Sequence, residues 1–120
     1  VVDSATAQRF GLQTALLQNA SGAFVAADEA GMSAAAADMP TVDSVPLPDP
    51  RSKNPAAYPL THLTYAATVP SLLTKEEGAA YAGFLFYAVS AGQASGAAVG
   101  KLALGYVPLP ASLGHAAEAA

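Results

Sequence analysis

The run Thr74-Lys75-Glu76-Glu77-Gly78-Ala79-Ala80-Tyr81-Ala82-Gly83-Phe84-Leu85-Phe86-Tyr87-Ala88-Val89-Ser90-Ala91 is the strongest structural signal in the chain. Thr74 and Glu77 have the spacing of a capping box, in which the threonine oxygen accepts from the Glu77 amide and the Glu77 carboxylate reaches back to the Thr74 amide. The helix that starts here is expected to run to about Ala91. Tyr81, Phe84, Leu85 and Ala88 share one stripe at helical spacing, and Phe86, Tyr87 and Val89 widen it. A stripe that wide predicts a helix buried over much of its circumference, with its aromatics in a core rather than around a ligand. Gly92 is placed as a left-handed stop. Residues 78–100 carry no charge over 23 residues, and Gly92, Gly96 and Gly100 recur at fourfold spacing. A membrane helix needs about 20 predominantly apolar residues. Ser90, Gln93, Ser95 and the glycines dilute this run, so a buried helix followed by a glycine-rich turn fits better.

Upstream, residues 58–69 are rich in Thr, Tyr and Leu and read partly as a strand. Leu60, His62, Thr64 and Ala66 would share one face, and Thr61, Leu63, Tyr65 and Ala67 the other. Neither face is purely polar, which predicts a strand covered on both sides, as in a parallel sheet. Residues 42–54 carry Pro46, Pro48 and Pro50, with Pro55 following, and predict an extended, polyproline-like connector. That change of composition is the best internal boundary. Before it, Asp28 is placed as the N-cap of an alanine-rich helix over 29–38, ended by Pro40. Asn19-Ala20-Ser21-Gly22 is a turn signal, and Ala23-Phe24-Val25 reads as a short strand. Residues 12–17 suit strand or helix equally. Val1-Val2 is placed as a strand or strand end, and Asp3, Ser4 and Thr6 as the capped start of a short helix or turn.

Downstream, residues 95–101 are expected to form a short helix or turn. Gly105-Tyr106-Val107-Pro108-Leu109-Pro110 must be extended or turned, because two prolines interrupt its donors. Residues 111–120 are helix-prone, short and terminal.

Composition narrows the function classes. The chain has 120 residues, a net charge of −4 and 12% charged side chains, and 52% of its residues are hydrophobic, many of them alanine. Alanine buries little area, so a core must lean on few large side chains. Five Lys and Arg make no basic footprint for nucleic acid. With no cysteine, disulfides, thiolate metal sites and a Cys nucleophile are excluded. Val1-Val2-Asp3 lacks the basic start and apolar run of a signal peptide, and reads as a cut inside a longer protein.

The residues that carry chemistry do not assemble into a motif. His62 and His115 stand 53 positions apart with no acid at ligand spacing; a core or rim role suits the first, and a solvated tail the second. Glu76 and Glu77 are adjacent on a helix and do not point together, so they read as cap and dipole charges. Asp43 and Asp49 flank the proline connector as solvated loop acids or a weak cation site. Arg51 and Lys53 form a small positive spot that suits an anion or, more simply, solvent. Ser21-Gly22 lacks the frame of a nucleophile elbow. There is neither a P-loop nor a Gly-x-Gly-x-x-Gly. No catalytic, metal-ligating or cofactor-binding set is assigned, and the chain is read as non-enzymatic.

Several blocks resemble a known family. Leu16-Leu17-Gln18-Asn19-Ala20-Ser21-Gly22-Ala23-Phe24-Val25 is similar to a turn of the PstS-like phosphate-binding proteins, the periplasmic substrate-binding proteins of ABC transporters. Asn54-Pro55-Ala56-Ala57-Tyr58-Pro59-Leu60 resembles their return segment between lobes. The aromatic helix with Gly92-Gln93, followed by residues 105–110, resembles their C-terminal ending. The resemblance implies an α/β chain that is the C-terminal part of a two-lobed binding-protein fold, with short strands and flanking helices. Residues 1–54 would belong to the second lobe and end in the proline-rich connector; residues 55–120 would form the return segment and the C-terminal part of the first lobe.

In that family phosphate is held by a Thr/Ser loop at a helix start, an Asp, and an Arg with a Ser-Gly-Thr loop. None of these matches a position here, since Arg51-Ser52-Lys53 departs from the Arg pattern, and no ligand residue is carried over. The resemblance implies an extracytoplasmic protein, in the periplasm or on the cell surface. Its expected partners are phosphate or a similar oxyanion, a transporter permease and the N-terminal part of the same protein, with no cofactor. Residues 94–104 form an Ala/Gly-rich insert beside the transport members, and this ending also resembles actinobacterial surface proteins with binding-protein-like domains. The competing expectation is therefore a cell-surface structural or adhesion module that keeps the fold without the ligand.

Overall fold

In the computed structural model, which describes residues 1–119, the chain has four α-helices and two small antiparallel hairpins. They are α1 (Ser4–Arg9), β1 (Leu17–Gln18), β2 (Phe24–Val25), α2 (Glu29–Ala37), β3 (Thr41–Val42), β4 (Val45–Pro46), α3 (Lys75–Val89) and α4 (Ala111–Glu118).

Each early helix starts where a side chain replaces a missing backbone acceptor. Asp3 accepts from the Thr6 amide at 2.7 Å and from its hydroxyl at 3.0 Å, so Val1-Val2 leads into α1 rather than forming a strand. Asp28 accepts from the Gly31 amide at 2.9 Å and opens α2 at the expected residue. Gly31 is required by proximity: a Cβ there would lie 2.5 Å from the Ala26 carbonyl oxygen. The same Cβ would lie 3.3 Å from the Tyr58 Cβ, and the Gly31 carbonyl accepts from the Tyr58 amide at 3.0 Å.

β1 pairs with β2 in the register Leu17↔Val25 and Gln18↔Phe24, across the turn read at residues 19–22. The second hairpin was not legible. It occupies residues 41–46, in the start of the expected proline connector, with Thr41 opposite Pro46 and Val42 opposite Val45. Its two loop residues, Asp43 and Ser44, have φ of 48° and 66°, the left-handed pair that matches strand twist in a two-residue hairpin. Neither is glycine, so the usual turn signature was missing.

The capping box of α3 forms as expected. Thr74 Oγ1 accepts from the Glu77 amide at 3.3 Å, and Glu77 Oε2 accepts from the Thr74 amide at 2.9 Å. The helix stops at Val89, two residues early. The Ser90 hydroxyl donates to the Phe86 carbonyl, and a 3-10 turn, Ala91–Gln93, follows. Gly92 lies inside that turn without a left-handed φ, which corrects its placement as a cap. The fourfold glycines are not one helix face: Gly92 and Gly100 both make room for Tyr87, whose hydroxyl donates to the Gly100 carbonyl at 2.9 Å. Residues 95–101 form no helix; Ser95 bridges Leu102 across bends and turns. α4 follows Pro110 and ends at Glu118; Ala120, the last residue of the expected terminal helix, lies outside the described residues.

Two expectations fail for one reason. Residues 58–69 do not form a strand: after turns up to residue 60, residues 61–69 run without turn or bend, and residues 62–68 make no backbone hydrogen bond among the described residues. Each hairpin has only two strands, and among the described residues no other strand runs beside this segment. α3 is likewise not buried. None of its residues is buried, and Phe84 and Phe86 keep 65% and 61% of their surface. The turn after it and α4 pack against it, and Tyr87 reaches the loop at Gly100. Among the described residues the buried apolar ones are Ala7, Ala35, Ala36 and Ala57, and no large side chain is fully buried. The fold is therefore a mixed arrangement of helices and local hairpins. The expected mixture of short strands and helices is present, but the strands pair only as antiparallel hairpins among the described residues, the parallel neighbours expected for residues 58–69 are not formed, and nothing in this arrangement shows a two-lobed binding-protein fold. No helix among the described residues is long and apolar enough to cross a membrane.

Candidate functional site

The Asn19 side chain, which is 7% exposed, takes part in six hydrogen bonds. A carboxamide offers two N–H donors and an oxygen with two lone pairs. The Asn19 donors are shared among the carbonyls of Asn54, Pro55 and Ala57, each at 3.1 Å. Its oxygen accepts from the Ser21 hydroxyl at 2.7 Å, the Ser21 amide at 3.0 Å and the Ala23 amide at 3.2 Å. One side chain thus shapes the β1–β2 turn and fastens it to the turn after Asn54. Nearby, Lys53 Nζ donates to the Ala20 carbonyl at 2.9 Å. Sequence reading placed Asn19 in a turn and missed that it is a joint, because its partners lie 35 to 38 positions away.

A second joint sits at the other end. Gln93 Nε2 donates to the Ala88 carbonyl at 2.6 Å, and Gln93 Oε1 accepts from the Leu109 amide at 2.8 Å. The glutamine therefore holds the extended residues 105–110 against the end of α3. Each block that carries the family resemblance contributes to one of these two joints.

The candidate anion spot does not converge. Lys53 is turned to Ala20, while Arg51 donates its backbone amide to Asp49 at 2.9 Å in an exposed turn. A cleft of about 280 Å³ opens between α1, the start of α2 and residues 104–108; Gln8, Asp28, Glu29, Met32, Leu104 and Tyr106 help to line it. The start of α2 faces this cleft, but its positive end already holds Asp28, bonded to Gly31, and Glu29 beside it. Two carboxylates at that position oppose an incoming oxyanion.

The remaining candidates stay apart. Glu77 is occupied by the cap of α3, where the Thr74 backbone amide and then the Thr74 hydroxyl hold its carboxyl below the usual range. Asp3 is lowered in the same way by the Thr6 amide and hydroxyl. Asp43 lies in the β3–β4 turn and Asp49 caps the turn at Arg51, so they do not meet. His62 lies in the unpaired segment and His115 in α4. No three His, Cys, Asp or Glu among the described residues gather to hold a metal. A shallow apolar groove of about 250 Å³ runs along α3 beside Glu77, Ala80, Tyr81 and Phe84.

Comparison with protein-family models, with curated proteins and with solved structures finds no match to this chain.

Proposed function

We propose that the chain is a non-enzymatic segment of an extracytoplasmic receptor for phosphate or a similar oxyanion, serving an ABC uptake system, with the anion-gripping groups outside residues 1–119. The observation that carries this reading is the Asn19 joint. It draws two of the family-like blocks, residues 16–25 and 54–60, into one folded unit, and it spends the Asn19 donors on internal carbonyls. A segment so arranged supports a receptor and leaves the grip to the N-terminal part of the same protein, with a permease as the receiving partner. The test compares phosphate binding, by calorimetry, to the chain alone and to the polypeptide that carries it in its source. Binding only by the latter is expected. Its failure to bind any oxyanion overturns the reading.

The acidic cleft favours a second reading, a cell-surface structural or adhesion module with no anion ligand. In that case neither sample binds phosphate, and removing the chain impairs surface attachment without changing uptake.

A further inference from the structure

Asp49-Pro50 is the only place in the chain where a proline follows an aspartate. The bond divides the fold: α1, α2 and both hairpins precede it, and α3 and α4 follow it. Asp49 is half-buried, while Pro50 and Arg51 are exposed, so water reaches the bond.

The turn at this bond holds a nucleophile and a carbonyl together. Asp49 Oδ1 accepts from the Arg51 amide at 2.9 Å, which curls the carboxyl back along its own peptide unit. Among the described residues no hydrogen bond engages Asp49 Oδ2, so that oxygen is free to attack. The Asp49 carbonyl oxygen accepts from the Ser52 amide at 3.3 Å. A donor on that oxygen stabilises the negative charge it takes up when the carbonyl carbon is attacked. Pro50 supplies the leaving group. Its nitrogen carries no N–H and, with two alkyl carbons attached, is more basic than an ordinary peptide nitrogen, so it accepts a proton and departs more readily.

We propose that the chain cuts itself at Asp49–Pro50 and that its two pieces stay together. Asp49 Oδ2 attacks the Asp49 carbonyl carbon and closes a cyclic anhydride. The bond from that carbon to the Pro50 nitrogen breaks, the nitrogen keeps the electron pair and takes a proton from solvent, and Pro50 becomes a free secondary-amine terminus. Water then opens the anhydride and leaves Asp49 with two carboxyl groups. A carboxylate acting within its own residue gains from proximity, and water is the only co-reactant. The event happens once per chain, so the chain remains non-enzymatic.

The hydrogen bonds that would hold the cut chain are spread through the fold. Asn19 donates to the carbonyls of Asn54, Pro55 and Ala57, Gly31 accepts from the Tyr58 amide, and Ser4 donates to Gly105. None of them depends on the Asp49–Pro50 bond. The same turn recurs at Asn54–Pro55 and serves as an internal control. There Asn54 Oδ1 accepts from the Ala56 amide at 3.0 Å and the Asn54 carbonyl from the Ala57 amide at 3.1 Å. A carboxamide replaces the carboxylate, and its oxygen is a much weaker nucleophile. The inference stands on this turn and does not rest on the receptor reading.

The test is mass spectrometry of the purified chain held in a mildly acidic buffer in which circular dichroism shows it folded. Pieces 1–49 and 50–120 are expected to accumulate, with no cut at Asn54–Pro55, and to elute together on size exclusion until urea separates them. Asp49→Asn keeps the acceptor for the Arg51 amide but lacks the carboxylate, and is expected to slow the cut about tenfold or more. The unchanged chain, unfolded in urea in the same buffer, is expected to cut several-fold more slowly, because the turn is lost. An intact chain, a cut that Asp49→Asn leaves at the same rate, or equal rates in the folded and unfolded chain overturns self-cleavage. Pieces that part without urea overturn the joined state.

Discussion

The Ser4 hydroxyl donates to the Gly105 carbonyl at 2.6 Å, closing the chain across 101 positions of sequence. Gly105 has a φ of +92°, and a Cβ there would lie 2.4 Å from the Ala5 Cα. Backbone against backbone leaves no flexible side chain to yield.

Gly105→Ala is therefore expected to destabilise the chain by about 2 kcal/mol or more, through both the left-handed φ and the overlap with α1. Ser4→Ala, which removes only the hydrogen bond, should cost about 1 kcal/mol. Urea unfolding of the two variants checks the order; equal losses would show that the close approach matters no more than the hydroxyl.

Asn19→Ala leaves the carbonyls of Asn54, Pro55 and Ala57 without this donor in a buried position. The expected loss is about 2–4 kcal/mol. Asn19→Asp should be no better, because it sets a carboxylate oxygen against three carbonyls. Thermal unfolding of both variants is the measurement, and a melting temperature unchanged in either would remove Asn19 as the joint.

The α3 cap makes helicity depend on pH. The Glu77 carboxyl is lowered in the folded chain by the Thr74 amide and hydroxyl. A lowered carboxyl contributes stability that is complete above its ordinary pKa and is lost as pH falls through the lower folded value. Far-UV circular dichroism should show α3 losing helicity on that acid side. Glu77→Gln should flatten the part of the curve due to the cap, while the similar contribution of Asp3 remains.

Tyr87→Phe removes the hydroxyl that holds the Gly100 carbonyl but keeps the ring between Gly92 and Gly100. A loss of about 1 kcal/mol is expected. Faster exchange should appear at the amides of Lys101 and Leu102, which bond to Ala98 and Ala94 in the same loop.

The legible parts of this chain are the ones whose partners are close in sequence. Asp28 with Gly31 and Thr74 with Glu77 are three residues apart, and both helix starts lie where the caps put them. The Asn19–Gly22 turn belongs to the same class. The β3–β4 hairpin escaped because Asp43 and Ser44 adopt left-handed φ without glycine. Residues 58–69 have strand composition but no pairing, and composition carries no information about whether an edge will be available. The candidate site was illegible for a similar reason: Asn19, Gln93 and Gly105 matter through groups 16 to 101 positions away.

By itself, then, the amino-acid sequence determined where the capped helices begin, where the Asn19–Gly22 turn falls, and that no thiol, basic patch or familiar catalytic motif is present. These follow from short-range hydrogen bonding and from residue chemistry. Only the tertiary structure decided that the aromatic helix stands exposed, that residues 62–68 lack a strand partner, and that Asn19 and Gln93 serve as joints. Burial and pairing are properties of two surfaces at once. A periodic pattern in one segment states what that segment can bury, while the neighbours that the fold brings to it decide what it does bury.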